Sequence, residues 1–237
     1  MTAGVRLAVW SGPRNISTAL MRAWENRDDC RVVDEPFYAY YLNETGLGHP
    51  GRDEVIAAGT TDWRAVVADL TSPVDGIYYQ KHMAHHLLPQ LPRGWIASLT
   101  NVLLIRDPTE VLASYVRSRP DVTDSDIGLV QQAELFEQLG ARLPVLDAAD
   151  FLARPDLYVR WLCDLVGVEF TDRMLRWPAG PRDTDGVWAR YWYGAVQAST
   201  GFVPYARRQV ELAGAAAEVS ERLRPYYEKL YSARLVL

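Results

Sequence analysis

The sequence predicts a three-layer α/β fold in which a central, mainly parallel sheet is flanked by helices. Short apolar or β-branched runs alternate with helical patterns along the chain, which is typical of βα units. The strand runs contain almost no polar residues, as expected of parallel strands that helices cover on both faces. At 237 residues the chain is long enough for one large domain and short for two, so we expect a single domain over 1–237.

The predicted elements follow one another in a regular order. Strands are expected at 5–10, 30–33, 76–79, 101–105 and 144–146. Helices are expected at 17–26, 108–117 and 155–166, and 213–234 is expected to form one or two closing helices, with Pro225 at a break or in a first turn. The irregular stretches are 43–61, 120–125 and 177–187. Loops of this kind at the carboxyl ends of parallel strands build the ligand site.

Charge and composition narrow the function classes. The net charge of −5 argues against nucleic-acid binding, because no basic stripe could drive counterion release. No apolar run is long enough to span a bilayer and no signal-peptide pattern precedes the first strand, so we expect a cytoplasmic protein without a membrane partner. Arginine supplies 23 of the 25 basic residues, and the two lysines are Lys81 and Lys229. This bias is consistent with a need for a compact cation at Lys81, and a surface lysine by chance is the alternative.

The stretch WSGPRNISTAL, from Trp10 to Leu20, leads from the first predicted strand into the first helix. In this arrangement, backbone N–H groups and a helix N-terminus converge on an anion. Ser17 and Thr18 stand where the helix begins, so one can cap it while the other reaches an oxyanion. Arg14 lies in the turn, where its guanidinium can bind phosphate or sulfate oxygens. An ordinary βα turn with a Ser or Thr cap explains the same residues, and this stretch alone does not decide between the two.

A second stretch, RDPTEVLASY, follows the fourth predicted strand. Pro108 is typical of a first helical turn, which places Ser114 on the second turn. Arg106 and Ser114 are then close enough to hold one anionic group from two sides. A surface arginine in an ion pair with an incidental serine nearby is the alternative, but it does not explain why both residues fall in the expected ligand crevice.

Together these stretches resemble the sulfotransferases that use 3′-phosphoadenosine 5′-phosphosulfate, a branch of the P-loop nucleotide-binding fold. GPRNIST resembles the 5′-phosphosulfate loop of that family, although Ile16 stands where the family usually has glycine. The resemblance implies that Arg14, Asn15, Ser17 and Thr18 bind the donor around its 5′-phosphate and sulfuryl oxygens.

The resemblance continues over nearly the whole chain. IRDPTEVLASY is similar to the family's 3′-phosphate strand and helix, which implies that Arg106 and Ser114 hold the 3′-phosphate. GPRDTDGVW, from Gly180 to Trp188, resembles the loop over the nucleotide and implies a second 3′-phosphate contact from Arg182. The implied activity is transfer of a sulfuryl group to a hydroxyl or amine of a small-molecule acceptor, with no metal required.

Two residues are candidates for the base that takes the acceptor's proton. Glu35 follows the second strand in a Glu-Pro pair similar to that of carbohydrate sulfotransferases, and His82 lies in a Lys-His stretch similar to that of cytosolic sulfotransferases. We predict His82 as the base, because histidine has the pKa nearest neutrality, with Lys81 or Arg14 stabilising charge on the bridging oxygen. Glu35 would need burial among its aromatic neighbours to raise its pKa, and a structural carboxylate that pairs with an arginine or a helix start is the alternative for this residue.

The same residues also bear on a metal site, on the acceptor pocket and on other activities. His82 and His86 would share a helical face, which suggests zinc, but no clear third ligand follows, and we expect His85 and His86 to contact the acceptor or its neighbours. Aromatic groups around Tyr38 and Trp192 can form the wall of an acceptor pocket or belong to the core, and we expect Trp188 and Trp192 in the core.

Two alternative functions use the same fold. A P-loop kinase would need a Lys-Ser/Thr loop, which GPRNIST lacks, and a nucleotide-binding protein without transfer activity remains an alternative. A homodimer also stays open.

Overall fold

The central layer is a five-stranded sheet, seen in a computed structural model that describes residues 4–117, 119, 121–140, 142–206 and 210–237. Its strands are β1 (Val5–Ser11), β2 (Cys30–Asp34), β3 (Ile77–Met83), β4 (Thr100–Ile105) and β5 (Val145–Asp147). All neighbouring strands are parallel, in the order β2-β3-β1-β4-β5. The predicted α/β fold with a parallel sheet is confirmed.

Helices connect the strands and cover both faces of the sheet. The first half of the chain contributes α1 (Ser17–Glu25), α2 (Tyr38–Thr45), α3 (Arg52–Ala58) and α4 (Trp63–Leu70). The second half contributes α5 (Pro108–Tyr115), α6 (Asp124–Ile127), α7 (Leu129–Leu139), α8 (Ala148–Ala153), α9 (Pro155–Val166), α10 (Ala189–Trp192), α11 (Gly194–Gln197) and α12 (Gly214–Ser232). Helix α12 continues through Pro225, so the closing segment holds one helix.

The sheet separates two hydrophobic cores. Leu7 and Val9 of β1 pack on one face with α1 and α9, whereas Ala8 and Trp10 pack on the other with α5, α7 and α12. Successive side chains of a strand point to opposite faces, so a doubly covered strand needs apolar residues at every position. This explains why the predicted strands read as unbroken apolar runs.

Strand β3 is longer than its apolar run predicts. The sequence expectation ends at residue 79, but the strand extends to Met83 and includes Gln80, Lys81 and His82, each at most 1% exposed. Gln80 Nε2, for example, donates to the carbonyl of Leu70 at 2.8 Å. Polar residues can occupy a buried strand when distant partners satisfy them, and the local sequence does not show those partners.

The strand order places a crevice beside β1. The chain forms β2 and β3 on one side of β1 and then crosses to β4 on the other side, which makes β1 the switch point of the sheet. Open α/β sheets bind ligands at the carboxyl edge of such a point.

Within the described ranges, no helix has the length and apolar character needed to cross a bilayer.

Candidate active site

A cavity of ≈ 570 Å³ lies where four strands end. Its walls come from the loop after β1 (13–19), Glu35 after β2, the end of β3 (83–86) and Arg106 after β4. Helix α5 and the segment 192–206 complete it. Of the three irregular stretches expected to line a ligand site, only 43–61 contributes a described residue, His49, to the cavity wall. Residues 121–125 and 177–187 contribute none, and Pro120 lies outside the described residues.

Two residues of the cavity wall have strained backbones. Among the described non-glycine residues, φ is positive only at Arg14 (53°) and Glu35 (44°). This left-handed conformation costs on the order of 1–3 kcal/mol for a residue with a side chain. Arg14 lies in the loop after β1, Glu35 directly follows β2, and both residues line the cavity. Strain concentrated in this way is typical of functional sites.

The predicted anion-binding residues meet in the cavity wall. Arg14 Nε donates to Ser114 Oγ at 2.8 Å, and Arg106 Nη1 donates to the main-chain carbonyl of Arg14 at 3.0 Å. The side chain of Asn15 ties the loop to β4, because its Nδ2 donates to the carbonyl of Leu104 at 3.0 Å. The loop after β1 is therefore fastened at three points: to β4 itself, to Arg106 just after it and to helix α5. Asn15 therefore connects the loop to β4 and also lines the cavity.

Helix α1 begins differently from the prediction. Ile16 occupies the cap position, and neither Ser17 nor Thr18 caps the helix with its side chain. Both hydroxyls instead belong to the first helical turn, and both residues line the cavity together with the N-terminus of the helix. The turn thus offers two hydroxyl groups and the positive end of the helix dipole to a bound anion.

Positive charge is concentrated at this part of the cavity. Burial lowers the pKa of the Arg14 guanidinium, and the nearby charges of Arg106 and Arg117 lower it further. Arg106 is partly balanced by Glu110 in the first turn of α5, with 3.1 Å between Nη2 and Oε2. Three arginines lining one cavity repel one another, and a bound anion would relieve that repulsion.

The candidate base Glu35 belongs to a buried charged cluster, which we call the Lys81 cluster: Asp34, Glu35, Lys81 and Tyr193. Lys81 Nζ donates to Asp34 Oδ1 at 2.8 Å, to Glu35 Oε1 at 2.7 Å and to the Tyr193 hydroxyl at 2.6 Å. Tyr193 in turn donates to Asp34 Oδ2 at 2.7 Å and lies 3.3 Å from Glu35 Oε1. Glu35 and Tyr193 are the members of the cluster that line the cavity.

Burial and charge oppose each other in this cluster. Burial raises the pKa of Glu35 above its ordinary value, although the Lys81 charge acts against that rise. For Lys81, burial disfavours the charge, but the two carboxylates outweigh it and raise the pKa. Lys81 therefore stays protonated at neutral pH, while Glu35 has a higher proton affinity than an exposed glutamate. A raised pKa is what a carboxylate needs to act as a base near neutrality.

His82 does not reach the cavity, which corrects the sequence prediction. Its ring stacks on Trp10 at 3.9 Å, its Nε2 bonds Gln80 Oε1 at 3.2 Å, and the residue is 1% exposed. Burial lowers its pKa to about 3. His82 and Lys81 are consecutive strand residues, so they point to opposite faces of the sheet. The face with Lys81 carries the charged cluster, and His82 belongs to the core.

Two further expectations are corrected by placement. Arg182 lies outside the cavity, where its Nε is 4.0 Å from Glu25 Oε2 and its main-chain N–H donates to Asp185. Trp192 lines the cavity and is not a core residue, while Trp188 is 9% exposed, as expected of the core. The covering wall therefore comes from residues 192–206, about ten residues after the stretch chosen from the sequence.

The remaining histidines form a neutral aromatic wall. His49, His85 and His86 line the cavity beside Tyr38, whose ring stacks on His86 at 4.9 Å. Burial lowers the pKa of His49 to about 4 and that of His85 to about 3. Among the described residues, no group of three or more His, Cys, Asp or Glu side chains is arranged to hold a metal ion.

Comparison with known proteins identifies the family of this chain. A family model described as the sulfotransferase domain matches residues 5–228. The chain belongs to the sulfotransferase domain family. The cavity described above is therefore the candidate active site of a sulfotransferase domain.

Two curated relatives come from Arabidopsis thaliana. They are Branched-chain-amino-acid aminotransferase-like proteins 1 and 2, which are 37% and 34% identical to this chain over 198 residues. Each alignment covers 81% of this chain but 36% or 35% of the relative, so the chain spans about a third of their length.

Solved structures share the fold of this sulfotransferase domain. The domain from the curacin biosynthetic pathway is 14% identical, with a TM-score of 0.54 and 99% coverage of both chains. The domain from the Synechococcus PCC 7002 olefin synthase is 17% identical, with a TM-score of 0.51 and coverage of 93% of this chain and 94% of its own. The Alicyclobacillus acidocaldarius sulfotransferase is 13% identical, with a TM-score of 0.51 and coverage of 97% and 93%. At these identities, the likeness concerns the fold.

Sequence reasoning missed three residues of the site. Asp34 and Tyr193 complete the Lys81 cluster, and Arg117 adds a third arginine to the anion-binding wall. Arg117 could have been found, because it follows Ser114 by three positions and such residues are neighbours on a helical face. Asp34 directly precedes Glu35, but only the fold shows that Lys81 binds both carboxylates. The aromatic run 191–193 marks Tyr193 as a candidate for the pocket wall, but no local signal shows that its hydroxyl joins the charged cluster.

Proposed function

We propose that this sulfotransferase domain moves the sulfuryl group of 3′-phosphoadenosine 5′-phosphosulfate to a hydroxyl or amine of a small-molecule acceptor by in-line displacement. One observation carries the proposal. An arginine-lined wall, the N-terminus of α1 and a carboxylate with a raised pKa all face the same cavity. A doubly phosphorylated donor needs the first two features, and removal of the acceptor's proton needs the third.

The arginine-lined wall fits the donor's 3′-phosphate. Arg106 and Ser114 would hold that phosphate, with Arg14 bound to Ser114 and close to the same group. Ser17, Thr18 and the first turn of α1 would hold the 5′-phosphosulfate. Phosphate would compete with Glu110 for Arg106, and it would compensate the mutual repulsion that lowers the pKa of Arg14.

Glu35 is the base that the geometry favours. In the transfer step, the acceptor oxygen forms a bond to sulfur, and its proton passes to the carboxylate of Glu35. The bond between sulfur and the bridging phosphate oxygen breaks, which leaves 3′-phosphoadenosine 5′-phosphate. Two carboxylates share the one Lys81 ammonium, so proton uptake by Glu35 removes an excess negative charge from a buried place.

Charge on the bridging oxygen needs a stabiliser that can reach it. Lys81 is fully buried behind Glu35 and does not line the cavity. Arg14 and the N-terminus of α1 do line it, so we assign this role to them. The acceptor would lie against the wall of Tyr38, His86 and Trp192, which excludes water from the reacting groups.

Calorimetric titration with 3′-phosphoadenosine 5′-phosphate tests this proposal. Binding should depend on the 3′-phosphate, so adenosine 5′-phosphate should bind weakly, and binding should persist in a metal chelator. Arg106→Ala should weaken affinity roughly 10- to 160-fold, the equivalent of about 1.5–3 kcal/mol for a charge-assisted contact. Arg173→Ala is the matched control, because Arg173 pairs with Asp28 on the surface. Equal affinity for both nucleotides, or a requirement for ATP with magnesium, would refute the proposal.

A further inference from the structure

Lys81 has no free hydrogen-bonding capacity. An ammonium group has three N–H donors, and those of Lys81 are directed to Asp34 Oδ1, Glu35 Oε1 and the Tyr193 hydroxyl, all within 2.8 Å. The side chain is 0% exposed. A lysine that stabilised a reacting sulfuryl group would need a donor directed into the cavity, and this lysine has none to spare.

The Tyr193 hydroxyl is saturated in the same way. It accepts from Lys81 Nζ at 2.6 Å and from Trp188 Nε1 at 3.1 Å, and its one proton is shared between Asp34 Oδ2 at 2.7 Å and Glu35 Oε1 at 3.3 Å. Hydroxyl groups have one donor and two acceptor sites, and here each has a partner. Tyr193 is also 5% exposed, so its position is fixed by packing and by hydrogen bonds.

The same tyrosine belongs to the part of the chain that covers the cavity. Tyr193 lies between α10 and α11, directly before the lining residues Ala195, Val196 and Ser199. A second link runs from the main-chain N–H of Gly186 to Asp34 Oδ2 at 3.4 Å. The covering segment, 192–206, is therefore connected with the partners of the base through Tyr193, and the residues that lead into it are connected with them through Gly186.

We propose that Lys81 and Tyr193 are positioning residues that hold Oε1 of Glu35, so that its other oxygen serves the acceptor when segment 192–206 covers the cavity. This inference rests on the proposed function, because it takes Glu35 as the base. Among the described residues, the recorded hydrogen bonds of the Glu35 carboxylate all involve Oε1. A carboxylate held at one oxygen has a fixed plane, and fixed geometry is what proton transfer requires.

The arginine bias of the chain agrees with this role. Arginine is used at 23 basic positions and lysine at two. Three donors that diverge from one nitrogen suit three acceptors on three different residues, whereas the guanidinium is planar and larger. A packed site between β2, β3 and Tyr193 leaves the compact ammonium as the matching cation.

The groups that face Glu35 come from every neighbouring element. Lys81 of β3 and Asp34 of β2 are charged, and Tyr193 and Tyr38 contribute hydroxyl groups. Lys81 and the Tyr193 hydrogen bond lower the pKa of Glu35, while burial and Asp34 raise it. Loss of the Tyr193 hydroxyl should therefore raise the pKa of Glu35, and with it the pH at which the base becomes protonated.

Tyr193→Phe tests the inference, because it removes the hydroxyl and keeps the ring. Tyr191→Phe is the matched control, since Tyr191 is 42% exposed and lies two positions away outside the cavity wall. Glu35 should be titrated by ¹³C NMR in glutamate-labelled protein, and kcat/KM should be measured against pH. Tyr193→Phe should move both titrations upward by roughly 0.4–1 pH unit, the equivalent of one hydrogen bond, while Tyr191→Phe leaves them unchanged.

Affinity for 3′-phosphoadenosine 5′-phosphate separates this inference from the proposed function. Tyr193→Phe should retain that affinity. If the parent protein fails to bind the nucleotide, the proposed function fails, while the NMR titration still reports whether Tyr193 controls Glu35. An unshifted Glu35 titration in Tyr193→Phe would overturn the inference. So would a Lys81→Arg variant with the parent's turnover and pH profile, because any cation would then suffice.

Discussion

The two lysines of the chain provide a quantitative test of the buried charge cluster. Lys81 is 0% exposed and has two carboxylate oxygens within 2.8 Å, whereas Lys229 is 46% exposed and pairs with Glu137 on the surface. Removing one partner of a buried ion pair leaves an uncompensated charge and costs about 3–5 kcal/mol. An exposed pair is worth roughly 0–1 kcal/mol. Lys81→Met and Lys229→Met should therefore differ severalfold in their effect on the free energy of unfolding.

Urea denaturation at pH 7, monitored by tryptophan fluorescence, measures this difference. The stabilising effect of Lys81 is fully present at that pH, because its pKa is raised above 10.5 and the contribution is lost only as the pH rises through the folded value. Adding Asp34→Asn to Lys81→Met should restore part of the lost stability, since it removes one uncompensated carboxylate. Equal losses for both lysine variants, or no recovery in the double variant, would refute the proposed energetics of the cluster.

Two further predictions concern pH and the base. Glu35→Gln should abolish turnover with little effect on nucleotide affinity, and full activity of this variant would exclude Glu35 as the base. In the parent, kcat/KM should decrease as the pH is lowered, and the midpoint of that decrease should lie above pH 4.5, because burial raises the pKa of Glu35. Acid should also unfold the chain early, because burial lowers the pKa of His49 to about 4 and those of His82 and His85 to about 3. Their contribution is complete above the ordinary value of 6.5 and is lost as the pH falls towards 3–4, by about 1.4 kcal/mol per pH unit for each histidine. Denaturation titrations between pH 7 and pH 4 would measure the slope, and a pH-independent stability would contradict it.

The parts of the site that the sequence predicted well depend on one geometric rule. Carboxyl ends of parallel strands share an edge, so residues that follow different strands converge there. Arg14 after β1 and Arg106 after β4 meet for this reason, although they are 92 positions apart. Ser114 could be added because the helical repeat fixes its distance from the strand end. The strand positions themselves follow from apolar runs that both cores require.

The choice of base could not be made from sequence, for an equally simple reason. Lys81 and His82 are adjacent on β3, and a strand sends adjacent side chains to opposite faces. Helices cover both faces of this sheet, so the flanking sequence does not show which face each of the two side chains points to. The register decides: Val9 pairs with Lys81 and Trp10 with His82. His82 thereby stacks on a core tryptophan, and its favourable intrinsic pKa has no use.

Arg182 shows a different limit of the sequence. A loop that folds back over a distant strand is held by long-range contacts, and a motif gives its approximate position only. The stretch 177–187 attaches to α1 through Asp185, which pairs with Arg22 at 2.6 Å, and this contact directs Arg182 towards Glu25. The cavity is covered instead by the residues that follow. The aromatic run around Tyr193 suggests a pocket wall, but the contacts of its hydroxyl with Lys81 and Asp34 depend on that long-range path.

A strained backbone and a buried charge coincide at Glu35, and together they indicate that this residue serves function at the cost of stability. A glutamate there has a φ of 44° and a largely buried carboxylate, and each feature lowers stability. Glycine would relieve the strain, and an apolar or amide side chain would relieve the charge. The chain instead adds a second carboxylate, a saturated lysine and a saturated tyrosine around it. A fold selected for stability alone has no reason to assemble such a cluster, whereas a base that must be held in one orientation beside an arginine-lined cavity requires these contacts.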